Sequence, residues 1–309
     1  MSDIILHHYP SSPFAEKARM MLGFKKLAWK SVTIPVIMPK PNLTALTGGY
    51  RRTPVMQIGA DIYCDTALIA DVLERIQPSP TLYPPATEGE SRTLAQWADS
   101  VLFWTMITYV FQPAGMQDVM GRFTPEQLKA FGADRAALRG NAQRLSLAEA
   151  TGALTEYLRR LEHMFTDERP YLLGRHPGIA DFSVYHCLWY LQNARSVAGI
   201  LDARPRLVKW IARMAEIGHG TSEPLPEQQA LEIARNSSAA PVDLPFVDIH
   251  GAAPGDQVSI MPSDYGLDPV EGELVIASAS ELALRRHDPQ AGSVVVHFPR
   301  IGFQMKKLG

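Results

Sequence analysis

The chain opens on a short apolar run, Ile4-Ile5-Leu6, long enough for one buried strand. At Pro13 the period changes. Ala15, Ala18, Met21 and Leu22 fall on one face of a helix, with Ser12 as N-cap and Pro13 at the first helical position, where a missing N–H costs nothing. Gly48-Gly49 marks a turn. Val55 to Ile58 then reads as a strand, Gly59-Ala60-Asp61 as a hairpin turn and Ile62-Tyr63-Cys64 as the return strand. Asp65-Thr66 opens a second helix through Leu68, Ile69, Val72 and Leu73.

The proline-rich stretch from Gln77 to Pro85 cannot continue a helix and reads as a linker. From Ser91 to about Ile217 the pattern is helical. Leu94, Trp97, Ala98, Val101 and Leu102 recur at helical spacing, followed by a crowd of large apolar residues from Phe103 to Phe111. Phe123 to Ala142 reads as an inserted segment with a helix start at Thr124-Pro125-Glu126-Gln127. Arg235 to Pro241 reads as a second linker. Beyond it, Val258–Ile260, Glu273–Ala277, Glu281–Leu284, Ser293–Phe298 and Gly302–Met305 read as short strands, which suggests a small barrel or curled sheet. The expected domains are residues 1–80, 86–235 and 241–309.

Composition narrows the function without naming it. The 309 residues carry a formal net charge of −2, which gives no electrostatic reason to bind nucleic acid. Cys64 and Cys187 form no disulfide or metal-ligand spacing. No apolar run reaches membrane-spanning length and the N-terminus has no signal-peptide pattern, so a cytoplasmic protein is expected. His250, His287 and His297 with Asp248 and Asp288 lack tight metal-ligand spacing, and no metal is expected.

Three fragments carry the chemistry. A helix N-terminus at Ser12 favours an anion, and a hydroxyl there can donate to a thiolate sulfur. A free thiol has a pKa of about 8.5, and each unit of lowering needs roughly 1.4 kcal/mol of preference for the thiolate. One charge-assisted hydrogen bond plus the helix dipole supplies about one to two units. Alone, Ser12 reads first as an ordinary helix cap. In Arg51-Arg52-Thr53-Pro54-Val55, a proline at a strand start, if cis, presents the backbone of Thr53 to an extended ligand. If trans, it is an edge-strand proline. Asp65-Thr66 is either a simple cap or a pair that receives an ammonium and a carboxylate.

In order and spacing these fragments resemble the glutathione transferase superfamily over roughly residues 1–235. Pro10-Ser11-Ser12-Pro13-Phe14 with Arg19 is most similar to its serine-type classes, tau especially. The resemblance implies a thioredoxin-like α/β N-terminal domain and an all-α helical domain, here followed by a small β-rich C-terminal domain outside the usual plan. It implies that Ser12 activates the glutathione thiol. Thr53-Pro54 would clamp the cysteinyl unit, and Asp65-Thr66, standing where the family has Glu-Ser, would hold the γ-glutamyl end. Arg51, and more loosely Lys40, would face the glycyl carboxylate. Phe103, Trp104, Ile107 and Phe111 would supply walls of a pocket for a hydrophobic electrophile. Ser11 and Tyr9 are rivals for the thiol-activating role, although Tyr9 is one residue out of register with the tyrosine other classes use.

The expected activity is a glutathione transferase serving detoxification, as a homodimer, with glutathione as co-substrate. The alternatives are a non-catalytic glutathione-binding scaffold whose β-rich module docks a protein, or a glutathione-dependent isomerase, lyase or dehalogenase. That module is expected to pack on the helical domain.

Overall fold

The computed structural model describes residues 3–140, 144–241, 244–247 and 251–309. Asp248 and His250 lie outside these residues, as do Ile249 of the apolar stretch after the second linker and Ala142 at the end of the inserted segment.

The first domain runs β1 (Ile4–His8), α1 (Pro13–Phe24), β2 (Trp29–Thr33), α2 (Pro41–Thr47), β3 (Val55–Ile58), β4 (Asp61–Cys64) and α3 (Thr66–Ile76). β1 pairs parallel with β2 and antiparallel with β3, and β3 pairs antiparallel with β4. This is the thioredoxin-like arrangement. Side chains alternate across the sheet. Ile4, Leu6 and Met56 face α1, α3 and the helical domain, whereas Ile5, Val55, Ile62 and Cys64 join a second core on the other face.

The helical domain comprises α4 (Glu88–Trp97), α5 (Phe103–Val110), α6 (Pro113–Met120), α7 (Pro125–Arg139), α8 (Leu147–His163), α9 (Ile179–Asn193) and α10 (Pro205–Ala215). A single π-helical segment, Ala98–Leu102, joins α4 to α5. The buried helix α9 has Gly178 as its N-cap, a residue with no side chain to accept from the first N–H groups. The structure explains the glycine. The hydroxyl of Ser91, from α4, accepts the Ala180 N–H at 3.1 Å, and a Cβ on Gly178 would stand 2.9 Å from that oxygen. A capping side chain has been moved to a neighbouring helix. Asp181 accepts from Gly178 N, Leu172 N and Trp210 Nε1, each at 2.9 Å, which fixes the entry to α9.

The last part is β-rich, as expected, and one of its turns packs on the helical domain, but its strands form no separate barrel or curled sheet. After β5 (Ser222–Pro224) and α11 (Glu227–Arg235) come β6 (Gln257–Pro262), β7 (Val270–Ala277), β8 (Glu281–Asp288), β9 (Gly292–Pro299) and β10 (Phe303–Lys307). These five strands extend the thioredoxin-like sheet. β9 pairs parallel with β4, Ile62 opposite Val296, and the whole forms one ten-stranded sheet in the order β10-β6-β7-β8-β9-β4-β3-β1-β2-β5. The physical reason is the exposed edge that β4 would otherwise leave, a row of unpaired backbone groups that another strand can satisfy. One face of the extension shares a core with α2 and α11 through Leu43, Leu46, Ala230, Leu231, Val294 and Val296. On the other, Ile276, Ala283 and Val295 are covered by Ala239 and Leu244 of the linker.

The junction carries a buried ion cluster. His297 on β9 lies between Glu281 (Nδ1 to Oε1, 2.7 Å) and Asp61 (Nε2 to Oδ1, 3.0 Å). Its ring stacks on Tyr63 at 4.5 Å. The histidine therefore joins the two halves of the sheet. His287 and Asp288 end β8, where Asp288 accepts from the Gln290 and Ala291 N–H groups.

Candidate functional site

Ser12 caps α1 with extended backbone (φ −76°, ψ 121°), and its Oγ accepts the Ala15 N–H at 3.2 Å. The turn before it is held from behind. Ser12 N donates to Tyr9 O at 3.1 Å, and Arg19 donates to Pro10 O at 3.0 Å while its guanidinium pairs with Glu16 at 2.7 Å. Arg19 thus aims the Ser11-Ser12 turn instead of reaching a ligand. Ser12 is 3 % exposed and Ser11 is exposed; both line one cavity of about 800 Å³, as does Tyr9. His8, at the register position of a tyrosine in other classes, is turned away onto Arg19 (3.0 Å) and Ser31 (2.8 Å).

Phe103, Trp104, Ile107 and Phe111 all line this cavity together with the Ser12 turn, and Phe103 packs on Phe14 at 4.6 Å. They come from α5 and the residue after it, joined by Trp189 and Tyr190 of α9 and by Phe123 and Phe131 at α7. The expected inserted helix is α7, closed at its start by a capping box in which Thr124 and Gln127 bond reciprocally (3.3 and 2.9 Å). It covers the cavity with Phe131, Arg135, Leu138 and Arg139.

The Thr53–Pro54 bond is cis, and Thr53 lines the cavity while Pro54 lies behind it. Lys40 donates to Thr53 Oγ1 at 3.2 Å, and burial together with the Arg135 charge pushes its pKa down to about 8. Arg51 also lines the cavity, but its guanidinium is already engaged by Asp134 of α7 at 2.6 Å. Asp134 in addition accepts the Met38 N–H at 3.1 Å. The inserted helix thus brings its own carboxylate to the basic residues expected to meet a ligand carboxylate.

Asp65 and Thr66 stand together at the start of α3 but do not line the cavity. Asp65 caps the helix through Ala67 N (2.9 Å) from a left-handed φ of 75°, a conformation that costs a non-glycine residue of order 1–3 kcal/mol. Burial raises its pKa, against the pull of that N–H and of Arg52. The Thr66 hydroxyl accepts from Lys17 (3.2 Å), whose buried ammonium also pairs with Asp99 (2.6 Å); Asp99 in turn meets His186 at 3.0 Å.

Sequence reasoning missed two groups. One is Tyr265, from the turn between β6 and β7. It enters the cavity wall, stacks beneath the Arg52 guanidinium at 3.7 Å and meets Trp104 edge-on at 5.1 Å. Arg52 also bonds Asp264 and the Tyr265 carbonyl. Next to it, Gly266 donates to Leu138 O at 2.6 Å; its φ of +58° and the 2.8 Å gap from a Cβ to the Leu138 side chain favour glycine. Here the C-terminal strands touch the site. Nothing in the chain near Tyr265 marks it as a pocket residue. The other group is arginine. Arg122, Arg139, Arg144 and Arg195 line the cavity, and the i, i+4 spacing of Arg135 and Arg139 was the available signal. Cys64 and Cys187 are buried, which raises both thiols well above their ordinary range. Among the described residues no helix is long and apolar enough to cross a membrane, and no group of three histidine, cysteine or carboxylate residues is placed to hold a metal ion.

Comparison with known proteins agrees with this geometry. Residues 6–81 match the model of the glutathione S-transferase N-terminal domain, and residues 144–213 that of the C-terminal domain. FtsZ-localized protein A of Caulobacter vibrioides is 25 % identical over 184 residues, 58 % of this chain and 72 % of that protein. A tau-class glutathione S-transferase from mango superposes with a TM-score of 0.51 at 16 % identity, over 69 % of this chain and 88 % of its own, a likeness of fold alone. A glutathione S-transferase-like protein from Pseudomonas syringae matches from end to end, covering 100 % of both chains at 45 % identity with a TM-score of 0.85. With both family domains present in order and a relative that shares even the added strands, this chain belongs to the glutathione S-transferase superfamily.

Proposed function

We propose that this chain is a glutathione transferase in which Ser12 holds the glutathione thiol as thiolate for attack on an electrophile in the adjoining cavity. The observation that carries the reading is Ser12 itself, a helix-capping hydroxyl lining a cavity that aromatic residues also line. The same oxygen that accepts the Ala15 N–H keeps its proton free to donate to sulfur, and the N–H polarises it. The Thr53 backbone would pair with the cysteinyl unit and Arg51 with the glycyl carboxylate, which must displace or share Asp134. Asp65 and Thr66 would meet the γ-glutamyl end, with Lys17, itself paired with Asp99, holding the Thr66 hydroxyl in place. Family membership supports glutathione as co-substrate; a homodimer with a cytoplasmic, detoxifying role is part of the same proposal. Lyase, isomerase and dehalogenase chemistry use the same thiolate and differ only in the electrophile.

A second reading is favoured by one observation. A matched relative takes its name from localisation with FtsZ, so a scaffold that docks a protein is the alternative for this chain. Steady-state turnover of glutathione on a panel of aryl halides, enones and epoxides separates the two. The transferase reading expects conjugation above the uncatalysed rate. A protein that binds glutathione and turns over none of the panel is the scaffold.

A further inference from the structure

We infer that the electrophile taken by this cavity carries an oxyanion, a carboxylate, sulfonate or phosphate, on an apolar body. The inference rests on the transferase reading for the reaction, but the binding part stands without it. The chain as a whole is slightly acidic, with 30 Lys and Arg against 32 Asp and Glu. The cavity is not. Seven arginines line it, and Asp118 is the single carboxylate among its lining residues. Asp118 is turned to the backbone N–H and hydroxyl of Ser196 (2.6 and 3.1 Å), not to an arginine. Three of the arginines are engaged: Arg51 and Arg135 by Asp134, and Arg52 by Asp264 and Tyr265. Among the described residues, Arg122, Arg139, Arg144 and Arg195 meet no carboxylate.

A simpler explanation accounts for part of this. A cation near a helix C-terminus gains about 0.3–1 kcal/mol. Arg139 lies in the last turn of α7, and Arg122 and Arg195 lie two residues past the ends of α6 and α9. Arg144 has no such reason. It stands two residues before Ser146, the N-cap of α8, at the end of a helix that disfavours a cation. Arg144 is exposed, and the partial desolvation it keeps together with the charge of Arg139 lowers its pKa. Arg122, Arg144 and Arg195 are exposed and Arg139 is half-buried, so these like charges stand where solvent reaches them, and together with Phe111, Phe123 and Phe131 they line a partly apolar space with positive potential. Arginine forks match planar or tetrahedral oxyanions, and the aromatic walls suit the body that carries one.

In the reaction, the glutathione sulfur forms a bond to the electrophilic carbon and the leaving group departs with its electron pair. The thiol proton has already gone to solvent. The arginines take no part in the bond change; they bind and orient the anion.

The test compares chloro-dinitrobenzoate with its methyl ester, which share the reacting carbon and the chloride leaving group. Wild type should prefer the acid in kcat/KM by about tenfold to a hundredfold, the range set by charge-assisted hydrogen bonds. In Arg139→Gln/Arg144→Gln the acid-to-ester ratio should collapse toward the uncatalysed ratio. An ester used as well as the acid, or an unchanged ratio in the double variant, overturns the inference. If neither compound reacts, the transferase reading fails and binding decides the inference. Anilinonaphthalene sulfonate should then bind at least tenfold tighter than phenylnaphthylamine, the same rings without the anion, and lose that advantage in the double variant. Equal affinities overturn the inference. Should that double variant not fold, Arg122→Gln/Arg195→Gln and the salt dependence of sulfonate binding to wild type decide between the same two outcomes.

Discussion

Replacing His297 by leucine should loosen the C-terminal strands from the thioredoxin-like sheet. His297, Asp61 and Glu281 are 5, 4 and 1 % exposed. Burial lowers the basicity of the ring, but the hydrogen bonds and charges of Asp61 and Glu281 outweigh it and hold its pKa above the ordinary 6.5. At and below pH 6.5 the ring is therefore the cation that balances two buried carboxylates. Without it, Asp61 keeps the Ala240 N–H at 2.8 Å and Glu281 keeps the half-exposed Arg75 at 3.1 Å. Removing one partner from a buried ion cluster costs about 3–5 kcal/mol. The lost stack on Tyr63 adds about 0.5–1.5 kcal/mol. Taking roughly 4 kcal/mol and 2–4 °C per kcal/mol for a unit of this size, the melting transition falls by about 8–16 °C. The pH dependence has a definite sign. A pKa raised on folding gives stability that is complete below 6.5 and lost as pH rises through the folded value. For Glu281, burial raises the pKa but the His297 bond and charge bring it below 4.5, so its share is complete above 4.5 and lost on acidification. Wild-type stability should therefore fall on the alkaline side of 6.5, and His297→Leu should lack that slope. Thermal melts across pH, with hydrogen exchange at the Val295 amide that joins β9 to Ala60, read both effects. The triple variant Asp61→Asn/Glu281→Gln/His297→Leu should recover part of the loss, because it removes the stranded charges as well. A single variant as stable as wild type with the same pH slope refutes the reasoning.

Asp181→Ala leaves three buried donors without an acceptor and should destabilise by at least about 3 kcal/mol, at about 1–3 kcal/mol for each; an unchanged denaturation midpoint would contradict this. Ser91→Ala should cost about 1 kcal/mol, the usual worth of a helix cap, and Gly178→Ser should not improve on wild type because its Cβ meets the Ser91 oxygen. Asp134→Asn should free Arg51 and raise glutathione affinity several-fold by calorimetry. A weaker or equal affinity would show that Asp134 does not compete with the ligand carboxylate.

The local elements were largely legible. Ser12-Pro13, Gly59-Ala60 and Thr124 to Gln127 are short-range signals whose meaning lies within a few residues, and the structure follows them, except that Asp61, expected in the hairpin turn, opens β4. The five strands after residue 241 were legible as strands, but their partner was not, because β-strand pairing with β4 depends on an edge set more than 200 residues earlier. The same limit hid the Ser91 cap, which replaces a local serine with one 89 residues away. At the site, the wall residues Phe103, Trp104, Ile107 and Phe111 sit in a dense apolar run whose spacing alone suggested a buried helix. Tyr265 and Arg144 belong to segments with no pattern of their own; only the packing of the β6–β7 turn and of α7 over the cavity brings them in. Asp134 shows the converse. It reads as an ordinary helix surface residue and becomes the partner of Arg51 only when the inserted helix folds over.

The central claim is that Ser12 stabilises a thiolate. Its most direct test is the pH titration of the ultraviolet absorbance of glutathione bound to wild type and to Ser12→Ala, with Ser11→Ala as the comparison. The bound thiol should titrate about one to two units below the free value of about 8.5. Ser12→Ala should return most of that shift and lower turnover by about a hundredfold, with affinity changed only several-fold. Ser11→Ala should titrate as wild type. A bound thiol with the pKa of free glutathione, or a Ser12→Ala titration that overlays wild type, would contradict the account.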